Sequence, residues 1–498
     1  MDEEEKSNKK WDSDPKIIII GSGISGIAAG EYLSRKGFKN FKILEASSRT
    51  GGRIWSVNVG EDGHKAELGA NWIHGIERNP IYQIADQNHL LQLRNKDKSL
   101  RRRDLFYSEG GEMINEKMVK EVDFTYGMLI QQCEDYFQSN MPTPEENDSV
   151  GAFLHREFQE KLNKYSNGDR LVRESIFNQR TLLECCISGC DRLEEVSLGD
   201  FGCYEELPGI HYTIPPGFET VLEILKKNIP KENILLNTPV KTVHWDIQDK
   251  SRGEVCVECE NGEKFYANHV ISTVSLGVLK AACDRMFNPS LTEEKLHAID
   301  NLGFGIVDKV ILEFDKPIVD DDVFRIELLW DKLRDPMRDL RKTWYRKIYS
   351  FEVVHENILV ENDSDLGPIE TKRFFIMGWL SGKEALFMES LTEEEIGEDC
   401  VSVLKKFLKK DDIPPPKRVL RTRWGNNPFT RGSYSFVAVG SSQSDLYALM
   451  EPLQAPGMEK PQVMFAGEAT HPSFYSTTHG ALLTGYREAQ RVIKLYTQ

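Results

Sequence analysis

The stretch from Lys16 to Arg53 constrains the fold more than any other part of the chain. Four isoleucines, Ile17–Ile20, run straight into Gly21-Ser22-Gly23-Ile24-Ser25-Gly26. A short, unbroken apolar run that stops at glycine reads as a strand. A helical pattern follows, then a second apolar run, Phe41–Leu44, which ends on Glu45. The order is strand, glycine turn, helix, strand, acid. Gly21 permits the tight turn, Gly23 lets backbone approach a pyrophosphate, and Gly26 lets the helix pack against the strand. Free N–H groups at the helix start, around Ser25, favour phosphate charge. Glu45 lies 19 residues after Gly26, close to the roughly 20 expected for an acid that accepts from ribose hydroxyls. The segment predicts a dinucleotide site and leaves open whether the ligand is a nicotinamide or a flavin.

The residues that follow narrow the choice. Arg49-Thr50-Gly51-Gly52-Arg53 places a double glycine between arginines. That suits a loop lying over a second phosphate contact, with Arg53 supplying charge-assisted hydrogen bonds. The run resembles the E-A-x-x-R-x-G-G-R signature of FAD-dependent amine oxidases, and the resemblance recurs from about residue 16 to 496. It implies an α/β fold with an α+β second domain, in which a Rossmann-type FAD-binding domain is interleaved with a mixed-sheet substrate domain. The expected division assigns 16–88, 205–290 and 440–498 to the FAD-binding domain. Residues 89–204 and 291–439 form the substrate domain, and 1–15 a flexible N-terminus.

A chain of 498 residues exceeds one simple core, so two domains are the default. The net charge of −16 speaks against nucleic acid as a partner and suits a small cation drawn towards an acidic cleft. Met1–Lys10 is polar and shows no apolar signal core, and nothing nears the ~18 apolar residues that span a bilayer. The final Leu495-Tyr496-Thr497-Gln498 is unlike an S-K-L peroxisomal tail. The expectation is a protein of the cytoplasm or nucleus, away from membranes, with its oligomeric state open and a monomer acceptable. Nine cysteines, an odd count, suggest reduced thiols. Cys256-Val-Glu-Cys259 sits in an alternating run that reads as a strand, and no metal site is expected.

Along the chain, Asp97–Leu198 reads as charged helical segments, with Arg101–Arg103 a solvated face. Strands are expected at Ile234–Asn237, Val240–Trp245, Val255–Glu260 and Val270–Thr273, then at Asp308–Phe314, Phe374–Leu380 and Val463–Gly467. Helices are expected at Leu391–Lys409 and Ala481–Tyr496.

Several segments carry chemistry. In Glu67-Leu68-Gly69-Ala70-Asn71-Trp72-Ile73-His74-Gly75, the small Gly69 and Ala70 let backbone approach a flat ring, and His74 could titrate near neutral pH. The run resembles E-L-G-A-x-W-I-H-G of animal polyamine oxidases, which implies cofactor contact for Gly69, Ala70, Asn71 and Trp72 and a channel position for His74. Lys309, early in an apolar strand, reads by itself as a lysine that snorkels to a surface. The resemblance instead implies a lysine that holds a water at flavin N5. Phe465–Thr470 and Tyr475–Ala481 resemble the closing motif of polyamine oxidases, implying cofactor contacts from Glu468, Thr477 and Thr478, with Val240 and Trp424 from other segments. No cysteine occurs in Gly432-Ser433-Tyr434-Ser435, where monoamine oxidases attach their flavin, so FAD is expected without a covalent tether.

The same resemblance makes Tyr434 one wall of an amine cage and Ser476 and Thr477 a polar opposite wall. Glu195 and Ser197, in Glu194-Glu195-Val196-Ser197-Leu198, match the E-V-S pattern of spermine oxidases and imply a distal ammonium site. The expected reaction, with His74 and Lys309 as the catalytic pair, oxidises spermine with O2 to spermidine, 3-aminopropanal and hydrogen peroxide. An N1-acetylpolyamine oxidase is the neighbouring reading, and a flavin scaffold related to histone demethylases is the non-enzymatic one. The chain lacks the long acidic insertion of vertebrate spermine oxidases around Asp246–Gly253, and Arg423–Val439 resembles the acetylpolyamine enzymes equally well.

Overall fold

Ile17–Ile20 lies at the centre of a five-stranded sheet, and burial on both faces is why it is apolar at every position. The order is Val463–Phe465, His269–Ser272, Ile17–Ile20, Phe41–Leu44, Ile234–Leu235, and every pairing is parallel. Its strands come from the beginning, middle and end of the chain. The computed structural model describes residues 15–59, 64–91, 102–145, 148–247, 249–331, 339–360 and 369–497. The flexible segment expected at 1–15 therefore lies, up to residue 14, outside the described residues.

The helix Ile24–Arg35 packs on this sheet at a distance only glycine allows. A Cβ on Gly26 would stand 2.0 Å from the Gly21 carbonyl oxygen. The C-terminal helix Thr478–Lys494 lies beside it, and a Cβ on Gly485 would meet the Ser25 carbonyl at 2.1 Å. That helix starts earlier than expected because Thr477 caps it, accepting from Gly480 N–H.

A second, mixed sheet of six strands is ordered Arg418–Arg421, Val307–Phe314, Ile369–Ser381, Ser350–Val360, Val323–Leu329, Arg103–Ser108. Its last strand corrects the expectation of helices throughout Asp97–Leu198. Arg103–Ser108 pairs in parallel with Val323–Leu329, a partner some 200 residues away that no local pattern announces. Arg103 is not simply solvated: it pairs with Asp320 and Asp322 at 3.1 and 2.8 Å. Helices Glu116–Gln138, Val150–Leu162 and Asn167–Ser188 account for most of the segment's other described residues.

A four-stranded sheet joins Phe287–Asn288, Val240–His244, Val255–Cys259 and Lys264–Ala267. Cys256 and Cys259 are three apart on one of its strands and so face opposite sides. All nine cysteines are free and buried. The helix expected at Leu391–Lys409 spans Glu393–Leu408 and opens with a reciprocal capping box between Thr392 and Glu395. Ile234–Asn237 shortens to a two-residue strand, Ile234–Leu235.

Candidate active site

In the parallel sheet, the chain leaves each strand at the same edge. Gly21, Glu45, Thr273 and Gly467, which follow four of the strands, all line one cavity of about 1620 Å³. Crevices at the carboxyl ends of parallel strands are where such sheets bind ligands. Ser25, Arg53 and Val240 reach the same cavity, as do Gly69, Ala70, Asn71, Trp72 and His74. Lys309, Trp424, Tyr434, Glu468, Ser476, Thr477 and Thr478 line it as well.

The nucleotide end is shaped for a dinucleotide. Gly23 begins the helix with no side-chain cap, leaving its first N–H groups free for an anion. A Cβ on Gly23 would find nothing nearer than the Gly51 oxygen at 4.0 Å. The space beside it is open, in contrast to Gly26, which does not line the cavity and serves packing. Glu45 is buried and fixed on both sides. Ser22 donates to Oε2 through N and Oγ at 2.8 and 2.7 Å, and Ser47 donates to Oε1 at the same distances. Glu468 receives Arg53 Nη1 at 2.8 Å on Oε1, and Ser435 Oγ at 2.6 Å and Ser476 N at 2.9 Å on Oε2. This pair ties the early glycine loop to the C-terminal motif. These features fit an extended ligand with phosphates at the helix start and a ring further along.

Towards the second sheet, two basic groups are pushed towards their uncharged forms. Lys309 is 2% exposed, which corrects the snorkelling expectation. Its Nζ donates to the Glu67 and Gly69 carbonyls at 2.8 and 2.7 Å and lies 4.3 Å from the centre of the Trp379 ring. Burial pulls its pKa down to about 7, against the opposing pull of Glu67 and Glu352. His74 is exposed towards the cavity, where the surrounding protein, then the neighbouring His211, lowers its pKa towards about 4. The two imidazoles stand edge to face at 5.2 Å.

The substrate wall departs from expectation at Glu195 and Ser197. Glu195 and Ser197 do not line the cavity. Glu195 Oε2 accepts from Asp191 N at 3.2 Å, and the backbone of Ser197 is tied to Val437, because the intervening Val196 takes the inward position. Ser476 and Thr477 line the cavity with hydroxyls already engaged. Ser476 Oγ donates to the Ser435 carbonyl, and Thr477 Oγ1 donates to the Phe474 carbonyl while capping the last helix. Tyr434 faces the cavity, and its hydroxyl donates to the Cys186 carbonyl.

Besides Glu45, Glu260, Glu352 and Glu468, the glutamates that face the cavity are Glu134, Glu184, Glu205 and Glu206. Glu184 has a hydrogen bond from Ser188 Oγ at 3.1 Å. Burial, with Glu134 and Glu206 adding repulsion, raises its pKa to about 7. Sequence reasoning passed over Glu134 and Glu184. A signal existed for the first: Ile130, Glu134 and Gln138 recur at four-residue spacing on one helix face, and all three line the cavity. Among the described residues no group of three or more His, Cys, Asp or Glu is placed to hold a metal. No helix among them is long and apolar enough to cross a membrane.

Comparisons with known proteins agree with this geometry. The chain is 36% identical over 506 residues to human peroxisomal N(1)-acetyl-spermine/spermidine oxidase, covering 97% of this chain and 95% of that protein. It is 31% identical to a probable polyamine oxidase 5 of Arabidopsis thaliana, covering 97% and 98%. The solved structure of a putrescine oxidase double mutant superposes with a TM-score of 0.65 at 18% identity, over 96% of this chain and 99% of that one. The open cradle at Gly23, the anchored acid at Glu45 and the buried Lys309 thus belong to a chain whose residues 24–493 match one family model, and the protein is a member of the flavin containing amine oxidoreductases, with FAD as its cofactor.

Proposed function

We propose that this enzyme is a polyamine oxidase that takes spermine, releasing spermidine, 3-aminopropanal and hydrogen peroxide. The observation that carries the reading is the set of groups gathered in one cavity. Lys309 and His74, pushed towards neutral forms, share it with the carboxylates Glu134, Glu184 and Glu206. Loss of hydride from carbon needs a lone pair on the adjacent nitrogen, so the reacting amine must be neutral. Neutral neighbours avoid repelling the amine, and a cation among the carboxylates offsets their mutual repulsion. The flavin, when bound, supplies the two-electron acceptor. Gly23, Glu45 and Arg53 would hold its nucleotide portion, and Gly69, Ala70 and Trp424 its ring. Lys309 would hold a water on the side of the ring where an imine product is hydrolysed.

We read FAD as non-covalent, since the expected attachment stretch, Gly432–Ser435, has no cysteine. The sheet pieces also support the interleaved division into FAD-binding and substrate domains given above. O2 and a polycationic amine are the small partners, and the cytoplasm or nucleus remains the proposed location. A second reading, oxidation of N1-acetylated polyamines, is favoured by the likeness to the human N(1)-acetyl-spermine/spermidine oxidase. Peroxide release from spermine, spermidine and acetylspermine, each at equal concentration, separates the two. A preference for acetylspermine overturns the spermine reading.

A further inference from the structure

Behind the cavity wall, two carboxyl groups meet. Asp308 precedes Lys309 on its strand and is 0% exposed; Glu389, just after the helix Gly382–Met388, is 3% exposed. No Lys, Arg or His nitrogen among the described residues forms an ion pair with either one. The chain that follows strand Arg418–Arg421 winds around them. Thr422 Oγ1 donates to Asp308 Oδ1 at 2.5 Å and receives the Lys309 N–H at 2.8 Å. Trp424 N donates to Asp308 Oδ1 at 3.2 Å. Gly425 N donates to Glu389 Oε1 at 2.6 Å, and Asn426 N to Oε2 at 2.8 Å. Three successive backbone N–H groups therefore converge on the pair, an arrangement that favours a single negative charge.

Two ionised carboxylates in a dry site repel strongly, so one of them retains a proton. Burial, then Glu389, raises the Asp308 carboxyl well above the usual carboxylate range. Both Glu389 oxygens already accept backbone N–H groups, which leaves Glu389 as the anion and Asp308 as the acid. The other charged groups near the pair are Arg421, which donates to the carbonyls of Met388, Glu389 and Leu391, and Lys309, whose Nζ is engaged elsewhere.

We propose that Asp308 and Glu389 share one proton and together act as the clasp that positions Trp424 and the loop through Ser433. That loop forms part of the cavity wall, through Trp424, Asn427–Arg431 and Ser433. Trp424 is aimed by the clasp on one side. On the other, its Nε1 donates to the Leu68 carbonyl at 3.3 Å and its ring stands edge-on to Trp55. Asp308 and Glu389 are positioning residues: neither lines the cavity. The role rests on the reading of this cavity as the flavin and amine site.

The test compares Asp308→Asn, Asp308→Ala and Glu389→Gln in the holoenzyme. Asparagine keeps the clasp, because Oδ1 still accepts from Thr422 and Trp424 while its amide donates to Glu389. Glutamine breaks it, by turning an NH2 against a backbone N–H. Asp308→Asn should retain FAD within about threefold of wild type and keep the near-ultraviolet tryptophan circular dichroism. Glu389→Gln and Asp308→Ala should weaken FAD retention about tenfold or more and change that spectrum. The infrared difference between wild type and Asp308→Asn should show the loss of one buried protonated carboxyl, the bands of Glu184 and Glu327 cancelling. Asparagine behaving as badly as alanine, an unaltered Glu389→Gln, or no such difference band overturns the clasp. If alanine fails to fold, the other two variants and the infrared band still decide. Should wild type oxidise no polyamine, these spectroscopic readouts remain interpretable, so the two readings fail separately.

Discussion

Replacing Lys309 by Met tests whether this lysine is held near its neutral form. Burial takes its pKa from the ordinary value of 10.5 to about 7. The unfolded chain therefore holds this proton more tightly than the folded one. With a depressed lysine pKa, stability rises with pH between about 7 and 10.5, by roughly 1.4 kcal/mol per unit within that window. Below pH 7 both states are protonated, and the full penalty of burying the charge, on the order of 5 kcal/mol, is felt. Integrating from pH 7 to pH 9, Lys309 should add about 2 kcal/mol of pH-dependent stability to wild type that Lys309→Met lacks. Methionine also leaves the Glu67 and Gly69 carbonyls without their donor, an offset of roughly 1–3 kcal/mol for each carbonyl that finds no water, independent of pH. Urea unfolding of both proteins at pH 7 and pH 9 isolates the difference. Parallel curves, with the same gap at both pH values, would show that Lys309 stays charged and would refute its neutral form. In the same variant FAD should remain bound while flavin reduction or reoxidation slows; unchanged half-reactions remove Lys309 from the chemistry.

Other outcomes follow from the cavity wall and the glycine turn. Glu184→Gln should raise KM for spermine roughly ten- to hundredfold, the worth of one charge-assisted hydrogen bond at ~1.5–3 kcal/mol. Glu195→Gln should change it less than about twofold, and the reverse ranking would return the distal site to Glu195. Gly26→Ala should fail to fold, because its Cβ would overlap the Gly21 carbonyl at 2.0 Å. Gly23→Ala should fold, its φ of −66° being ordinary, and lose FAD affinity; undiminished binding would move the pyrophosphate elsewhere. With a net charge of −16, kcat/KM for a polycation should fall several-fold between roughly 50 and 300 mM salt, and a flat profile would leave the charge as a solubility feature.

Asp308 and Glu389 show the limit of local reading. Asp308 stands beside a lysine that resemblance singles out, yet its own partner is 81 residues away and approaches because strand Ile369–Ser381 pairs with Val307–Phe314, setting Leu380 opposite Asp308. Glu195 shows the opposite error. Its motif matched, but a one-residue difference in direction gives the cavity to Val196. Side-chain direction in such a connecting segment is set by what packs on either side, and nothing in Glu194–Leu198 states it.

By itself the sequence determined the parallel strand and its turn, because four buried isoleucines and three glycines admit few other backbones. It also determined the acid at Glu45, through spacing that a strand and helix of fixed rise impose. The tertiary structure alone decided the charge states. Lys309 and Glu184 have ordinary side chains whose pKa values shift only where distant segments exclude water around them. Desolvation belongs to the assembled cavity, and no stretch of the chain contains it.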